Sequence, residues 1–152
     1  MMMTPVQIRA YNVTDKAAIL HLLHLNTPKS FSPDEQKDLI YYLDNEIDFY
    51  FVLETDAQIV GCGGFNLSAD ATVGYLAWDI FHPEYQGRGL GSSLLKYRLA
   101  QLKTYSTVQK IIVRTSQLAY IFYQKQGFQL LFSEKDYWAE DFDLYQMEYK
   151  NR

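Results

Sequence analysis

Leu90, Leu94, Leu95, Leu99 and Leu102 return at three- and four-residue intervals, a spacing that predicts an amphipathic helix with one apolar stripe. Other stretches carry a period of two. Val6, Ile8 and Ala10 alternate with Gln7, Arg9 and Tyr11, which predicts a half-buried first strand. Thr14 or Asp15 is placed to cap a helix carrying Ala18, Ile19, Leu22, Leu23 and Leu25. Ser32-Pro33-Asp34-Glu35 reads as a capping box with proline at the first helical position, opening a second helix through Leu39, Ile40 and Leu43. Residues 26–31 between the two helices are expected to be a short mobile connection. The middle reads as an antiparallel meander: residues 49–54, a polar turn at 55–58, residues 59–65, a turn at 68–71, then residues 72–81. After the leucine helix, residues 110–114 predict a buried strand and residues 117–126 a helix stopped by Gly127 in left-handed conformation. Residues 128–132 and 144–149 are the closing strands. A meander followed by strand, helix, strand, helix and strand predicts a mixed sheet covered by helices, of the α/β or α+β class.

The chain has 152 residues, 48% of them hydrophobic, enough for one core and therefore a single domain over residues 1–152. No low-complexity block or long linker interrupts it. Aromatic content of 16%, including 13 tyrosines, opposes disorder. A net charge of −4 argues against nucleic acid as a partner and favours a cationic or neutral one. The single cysteine, Cys62, excludes an intramolecular disulfide, and its place in the strand-like residues 59–65 reads as a small buried thiol rather than a nucleophile. Met1-Met2-Met3-Thr4-Pro5 lacks the basic and apolar regions of a secretory signal, and no apolar run is long enough to span a membrane. A soluble cytoplasmic protein is expected.

The chemistry-bearing segment is Gln86-Gly87-Arg88-Gly89-Leu90-Gly91-Ser92-Ser93, between the strand that His82-Pro83 ends and the leucine helix. Backbone N–H groups at such a junction can cradle a phosphate, because unpaired amides and the positive end of the helix dipole both favour an anion. A bare tight connection is the plainer alternative. A dinucleotide fingerprint fits worse, since Ser92 stands at the third glycine place and no parallel βαβ unit opens the chain. A Walker loop lacks its Gly-Lys-Ser/Thr. His21 and His24 are three apart but have no further ligand cluster, so no metal site is expected.

The run Ile80-Phe81-His82-Pro83-Glu84-Tyr85-Gln86-Gly87-Arg88-Gly89-Leu90-Gly91 resembles the acetyl-coenzyme A signature of the GNAT family of N-acetyltransferases, Gln/Arg-x-x-Gly-x-Gly/Ala, with Gln86, Gly89 and Gly91 in the three fixed places. Ala119-Tyr120-Ile121-Phe122-Tyr123-Gln124-Lys125-Gln126-Gly127-Phe128 resembles a second motif of that family. The two occur in family order, and the predicted elements fit that fold from Val6 to Tyr149. The resemblance implies a twisted, mostly antiparallel sheet splayed at the coenzyme site and flanked by about four helices. It also implies direct acetyl transfer from acetyl-CoA to a primary amine of a small molecule or peptide, without a metal. The alternative is a catalytically silent coenzyme A-binding sensor or interaction module.

Residue by residue, the resemblance implies that Gln86, Gly87, Arg88, Gly89, Gly91 and Ser92 meet the pyrophosphate. The main chain of Asp79 and Phe81 would hold the acetyl carbonyl and the pantetheine arm. Tyr123 stands where the family carries a tyrosine general acid, able to protonate the departing thiolate; Tyr120 reads as packing. Ser116 occupies the place of an asparagine that contacts the coenzyme in many relatives. Tyr75 occupies the place of the glutamate base of the histone-modifying branch, which leaves Asp79 as the candidate base, acting through water. His82 reads as part of the turn. Acceptor recognition is expected from residues 26–31 and 134–143, the latter mixing carboxylates with Tyr137, Trp138 and Phe142 in a way that suits a cationic amine. The final strands offer a homodimer surface, as in some relatives.

Overall fold

The computed structural model describes residues 5–150; the opening Met1–Thr4 segment lies outside the described residues. Seven strands form one sheet: β1 (Gln7–Ala10), β2 (Phe49–Thr55), β3 (Gln58–Leu67), β4 (Val73–Phe81), β5 (Lys110–Thr115), β6 (Phe128–Ala139) and β7 (Phe142–Tyr149), in the spatial order β1-β2-β3-β4-β5-β7-β6. All neighbours run antiparallel except β4 and β5. The helices are α1 (Lys16–Leu25), α2 (Glu35–Tyr41, continued by a π-helical turn at Tyr42–Glu46), α3 (Leu90–Leu102) and α4 (Tyr120–Lys125). This is the mixed α/β arrangement that the alternation of periods predicts, mostly antiparallel as the family resemblance implies.

Strand alternation divides the core between the two faces of the sheet. On β2, Phe51 and Leu53 face the apolar cluster that holds Leu94, Leu95, Leu99 and Leu102 of α3, while Tyr50 and Val52 face Ile19, Leu22 and Leu23 of α1 and Leu39 of α2. Every leucine of the α3 stripe is buried, so the predicted helix face is the packed one. Cys62 is buried among the α1–α2 cluster and donates to Ile80 O at 3.7 Å, as a small core thiol would.

Two turns show local chemistry at work. Asp56 and Ala57 (φ 51° and 58°) close the β2–β3 hairpin in the left-handed pair that a two-residue hairpin turn requires. Gly127 (φ 103°) stops α4, as expected. Elsewhere the boundaries differ from the sequence reading. Asn12, rather than Thr14 or Asp15, supplies the capping side chain, accepting from Thr14 N while Asp15 returns a carboxylate to Asn12 N. The Ser32 box forms with Ser32 N donating to Glu35 at 2.8 Å, but α2 begins only at Glu35, after Pro33 and Asp34 have made a turn. Helix α4 starts at Tyr120 instead of Gln117, because Ser116 Oγ accepts from Leu118 N and holds the preceding residues in a turn. The closing hairpin is longer than predicted: register shifts between Leu130 and Phe132 and between Glu134 and Ala139 break the alternation that a sequence pattern needs.

Two irregularities in β4 place the site. Its parallel pairing with β5 covers only Val73–Lys110, Gly74–Ile111 and Tyr75–Ile112, after which the ladder ends and the sheet splays. On its other side, Cys62 pairs with Ile80 and Gly64 with Ala77, so Trp78 and Asp79 together oppose the single residue Gly63. Trp78 sits at φ 51° in this bulge, an uncommon conformation for a bulky residue. Tyr50 Oη donates to Trp78 O at 2.7 Å and fastens the bulge from below.

Gly63 is required there by space. A Cβ at this position would stand 2.5 Å from Asp79 Oδ1, 2.9 Å from Leu94 Cδ2 and 3.1 Å from Arg98 Nη1. Gly63→Ala is expected to destabilise the fold by about 1–3 kcal/mol through overpacking, read as a lowered urea midpoint at unchanged slope. Wild-type stability in that variant would show that the bulge yields freely.

Candidate active site

The splay between β4 and β5 opens into a cleft of about 1410 Å³. It is lined on one side by residues 75–81 of β4 and on the other by Val113 to Ser116, with the glycine loop, α4, the α1–α2 connection and the β6–β7 hairpin around its rim. The glycine loop is built for close approach. Gly87 and Gly89 both have φ 78°, and at neither would a Cβ meet an atom within 4 Å. A backbone with open space on its outer side, immediately ahead of the N-terminus of α3, has the local geometry that can cradle an anion.

The other members of that segment have mixed duties. Gln86 leaves the short 3-10 turn Pro83–Tyr85 in extended conformation and lines the cleft. Arg88 lays its guanidinium over the Tyr85 ring at 4.7 Å, keeping its charge at the loop. Gly91 serves packing: a Cβ there would stand 3.1 Å from the Phe122 ring of α4. Ser92 Oγ accepts from Gln126 Nε2 at 3.0 Å and links α3 to the end of α4. His82 Nδ1 accepts from Glu84 N at 3.1 Å, the structural role expected of it. Ser116 lines the cleft while its hydroxyl and carbonyl shape the start of α4.

At the floor of the cleft the structure brings together two residues singled out from sequence and one that was not. Tyr123 Oη donates to Asp79 Oδ2 at 2.5 Å, and Asp79 receives both arms of Arg98, at 2.5 Å from Nη1 and 2.7 Å from Nη2. Arg98 has no exposed surface and also donates to Gly64 O at 3.0 Å; its Nε has no partner among the described residues. Burial acts to lower the Arg98 pKa, but the charge and hydrogen bonds of Asp79 outweigh it and the guanidinium stays charged. Burial first, and then the charge of Asp79, holds the Tyr123 phenol well above its ordinary value, so it is a neutral donor. The signal for Arg98 was present in the sequence: with Leu94, Leu95, Leu99 and Leu102 it completes the helical stripe, a charge on an otherwise apolar face.

The rim is ordered by polar ties. Asn26 Nδ2 donates to Leu22 O at 2.8 Å and to Phe81 O at 2.9 Å, fastening the α1–α2 connection to the end of β4 and occupying the Phe81 carbonyl. Phe31 stacks on Trp78 with centroids 6.4 Å apart. Across the splay, Gln117 holds the closing hairpin through Asp141 O and Asp143 N, and Trp138 Nε1 donates to Thr115 O at 3.1 Å. Both segments expected to meet the acceptor therefore border the cleft. His21 and His24 lie exposed on α1, and no group of three metal-ligating side chains occurs among the described residues. No helix among the described residues is long and apolar enough to cross a membrane.

The chain belongs to the GNAT acetyltransferase family: the family model described as acetyltransferase (GNAT) domain matches residues 46–130, more than half of it. It is 29% identical over 128 residues to an amino-acid acetyltransferase of Pasteurella multocida, covering 81% of this chain and 27% of that protein. The chain thus spans about a quarter of the length of that relative. Among solved structures it is similar to the ribosomal-protein-S18-alanine N-acetyltransferase of Escherichia coli, with TM-score 0.78, 18% identity and coverage of 95% and 93% of the two chains. It is similar also to N-acetylglutamate synthase of Neisseria gonorrhoeae in complex with coenzyme A and N-acetyl-glutamate, with TM-score 0.74, 20% identity, and coverage of 99% of this chain and 36% of that one.

The buried hydroxyls and thiol make the fold sensitive to alkali. Burial raises Tyr123, Tyr50 and Tyr42 above the ordinary phenol value and pushes Cys62 up to about 12. The unfolded chain releases these protons from about pH 8.5 for Cys and about pH 10 for Tyr. The folded chain holds them, so it binds more protons there and its stability falls as pH rises. The urea midpoint is expected to be insensitive to these groups through neutral pH and to decline above about pH 9; a midpoint rising over that range would contradict the raised values.

Proposed function

We propose that the protein is an acetyl-CoA-dependent N-acetyltransferase that moves the acetyl group directly to a primary amine of a small molecule or peptide. The observation carrying this reading is the continuity of one cleft from the glycine loop at Gly87 and Gly89, where an added side chain would meet only open space, to the Tyr123 hydroxyl at the β4–β5 splay. The names of the relatives support it, as does the coenzyme A complex of a protein with the same fold.

The residues present fit the donor. Amides of residues 86–92 and the helix dipole of α3 would hold the pyrophosphate, with Arg88 adding charge. The main chain of Asp79 and Phe81 would orient the thioester arm, and Ser116 would border it. Acetyl-CoA, when bound, supplies a thioester carbon at which a C–N bond forms as the C–S bond breaks.

Tyr123 is then the proton donor to the departing sulfur, turning its O–H from Asp79 into the cleft. Asp79 takes a positioning role in this reading, rather than that of a base acting through water, because both of its oxygens are held by Arg98 and one also receives Tyr123. In this reading the amine's proton passes to solvent, and a proton from solvent restores the Tyr123 phenol.

Tyr123→Phe is expected to lower kcat by roughly 10²-fold or more with little change in the KM for acetyl-CoA. Unchanged turnover would remove Tyr123 from the mechanism. Gly89→Glu is expected to abolish acetyl-CoA binding in calorimetry by filling the cradle with a like charge, whereas Gly89→Asn, which tolerates the left-handed backbone, retains the fold as a control. Normal affinity in Gly89→Glu would place the donor elsewhere. Tight acetyl-CoA binding with no product from any of a panel of amines would favour the sensor reading.

A further inference from the structure

Arg114 lines the cleft and has no ion-pair partner among the described residues. Arg114 lies on β5, two residues beyond the last β4–β5 pair. Its neighbours Ile111 and Val113 pack with the α3 cluster, so strand alternation turns Arg114 to the other face, the side of α1 and α2 and away from the α3 entry that forms the anion cradle. The guanidinium is held in place: it lies 5.1 Å from the Tyr137 ring and 5.6 Å from the Trp138 ring, and Nη2 donates to Tyr137 Oη at 2.9 Å. Trp138 is itself fixed by its bond to Thr115 O. Arg114 and its β7 partner Gln146 both line the cleft.

That single hydrogen bond leaves most of the guanidinium donors unused, and the ion pairs among the described residues engage Arg9, Lys16, Arg98 and Lys150 but not Arg114. An exposed guanidinium that lines the cleft beside two aromatic rings, tied to one of them by a hydrogen bond, can offer a carboxylate two parallel donors. The other charged groups lining the cleft, besides the internally paired Asp79, are Lys29, Glu35 and Glu46. Glu35 already accepts Ser32 N, and the two glutamates offer partners to an ammonium, not to an acid. Both signs therefore line the one cleft, which suits an acceptor that is itself a zwitterion.

We propose that Arg114 binds a carboxylate of the acceptor, so that the substrate class is amines that also carry a carboxylate: free amino acids or short acidic peptides. The assignment rests on the acetyltransferase reading above and narrows its acceptor. It makes Arg114 a specificity residue that acts on the acceptor and not on the donor.

The test compares L-amino acids with their α-carboxamides, and Glu and Asp with Gln and Asn, so that an α-carboxylate and a side-chain carboxylate are told apart. For the preferred acceptor, kcat/KM is expected to exceed that of the matching amide by roughly ten- to a hundredfold, the range of a charge-assisted pair. Arg114→Gln should collapse that preference through the acceptor KM while the KM for acetyl-CoA holds. Arg114→Lys should restore part of it, and Tyr137→Phe, which keeps the ring but frees the fork, should weaken it. Equal use of acids and amides by the wild type, or an Arg114→Gln change confined to acetyl-CoA, overturns the assignment while leaving the acetyltransferase reading intact. Should no amine be acetylated, that reading falls separately, and calorimetry of the same acids and amides in the presence of coenzyme A decides the site. Carboxylate-dependent binding lost in Arg114→Gln upholds it, and its absence overturns it.

Discussion

The ion pair between Arg98 and Asp79 is the interaction on which the site is organised. It joins α3 to the bulged segment of β4, reaches β3 through Gly64 O, and holds α4 through the Tyr123 hydroxyl. Four elements that approach one another from distant parts of the chain are thereby fastened at one buried point. A charge removed from water costs several kcal/mol unless it is paired and its remaining valences are met. Two parallel bonds to a carboxylate, a third to a carbonyl and a phenol on the far side meet most of that demand here. Gly63 is the concession that makes it fit, since any side chain there would occupy the space of the carboxylate and of Leu94.

The same pair explains why the cleft lies where it does. Asp79 reaches Arg98 because the bulge gives β4 one residue more than β3, and the bulge turns Trp78 through a left-handed conformation that Tyr50 fastens. Just before this bulge along β4, the β4–β5 ladder has already stopped after three pairs. The opened backbone faces the glycine loop on the α3 side, while Arg114, Tyr137 and Trp138 gather on the other. Under the proposed function, donor and acceptor chemistry would lie on the two faces of one split sheet, with the Tyr123 hydroxyl at the junction.

Much of this was legible in the linear chain. The leucines of α3, the meander, the His82-Pro83 stop and the Gly127 cap are local patterns whose physics acts over a few residues, and each appears where the pattern put it. Residues 26–31 and 134–143, expected from the resemblance to meet the acceptor, both contribute lining to the cleft. The longer closing hairpin, the late start of α4 and the use of Asn12 as cap were missed because bulges and side-chain ties override alternation and propensity. Asp79 was noticed as an acid in the right strand, but its partner was not, since nothing local says that a charge on a leucine stripe will be buried.

The sequence by itself determined the order and type of the elements, the glycine loop and its likeness to a coenzyme site, and the family. These follow from periodicity, from backbone freedom at glycine and from spacing along one segment. Only the tertiary structure decided that Arg98, Asp79 and Tyr123 form one hydrogen-bonded group, that Gly91 packs against the Phe122 ring, and that Arg114 lines the cleft without an ion-pair partner among the described residues. Each of those depends on contacts between residues far apart in the chain, and whether a charge is paired, buried or free is a property of its surroundings in space.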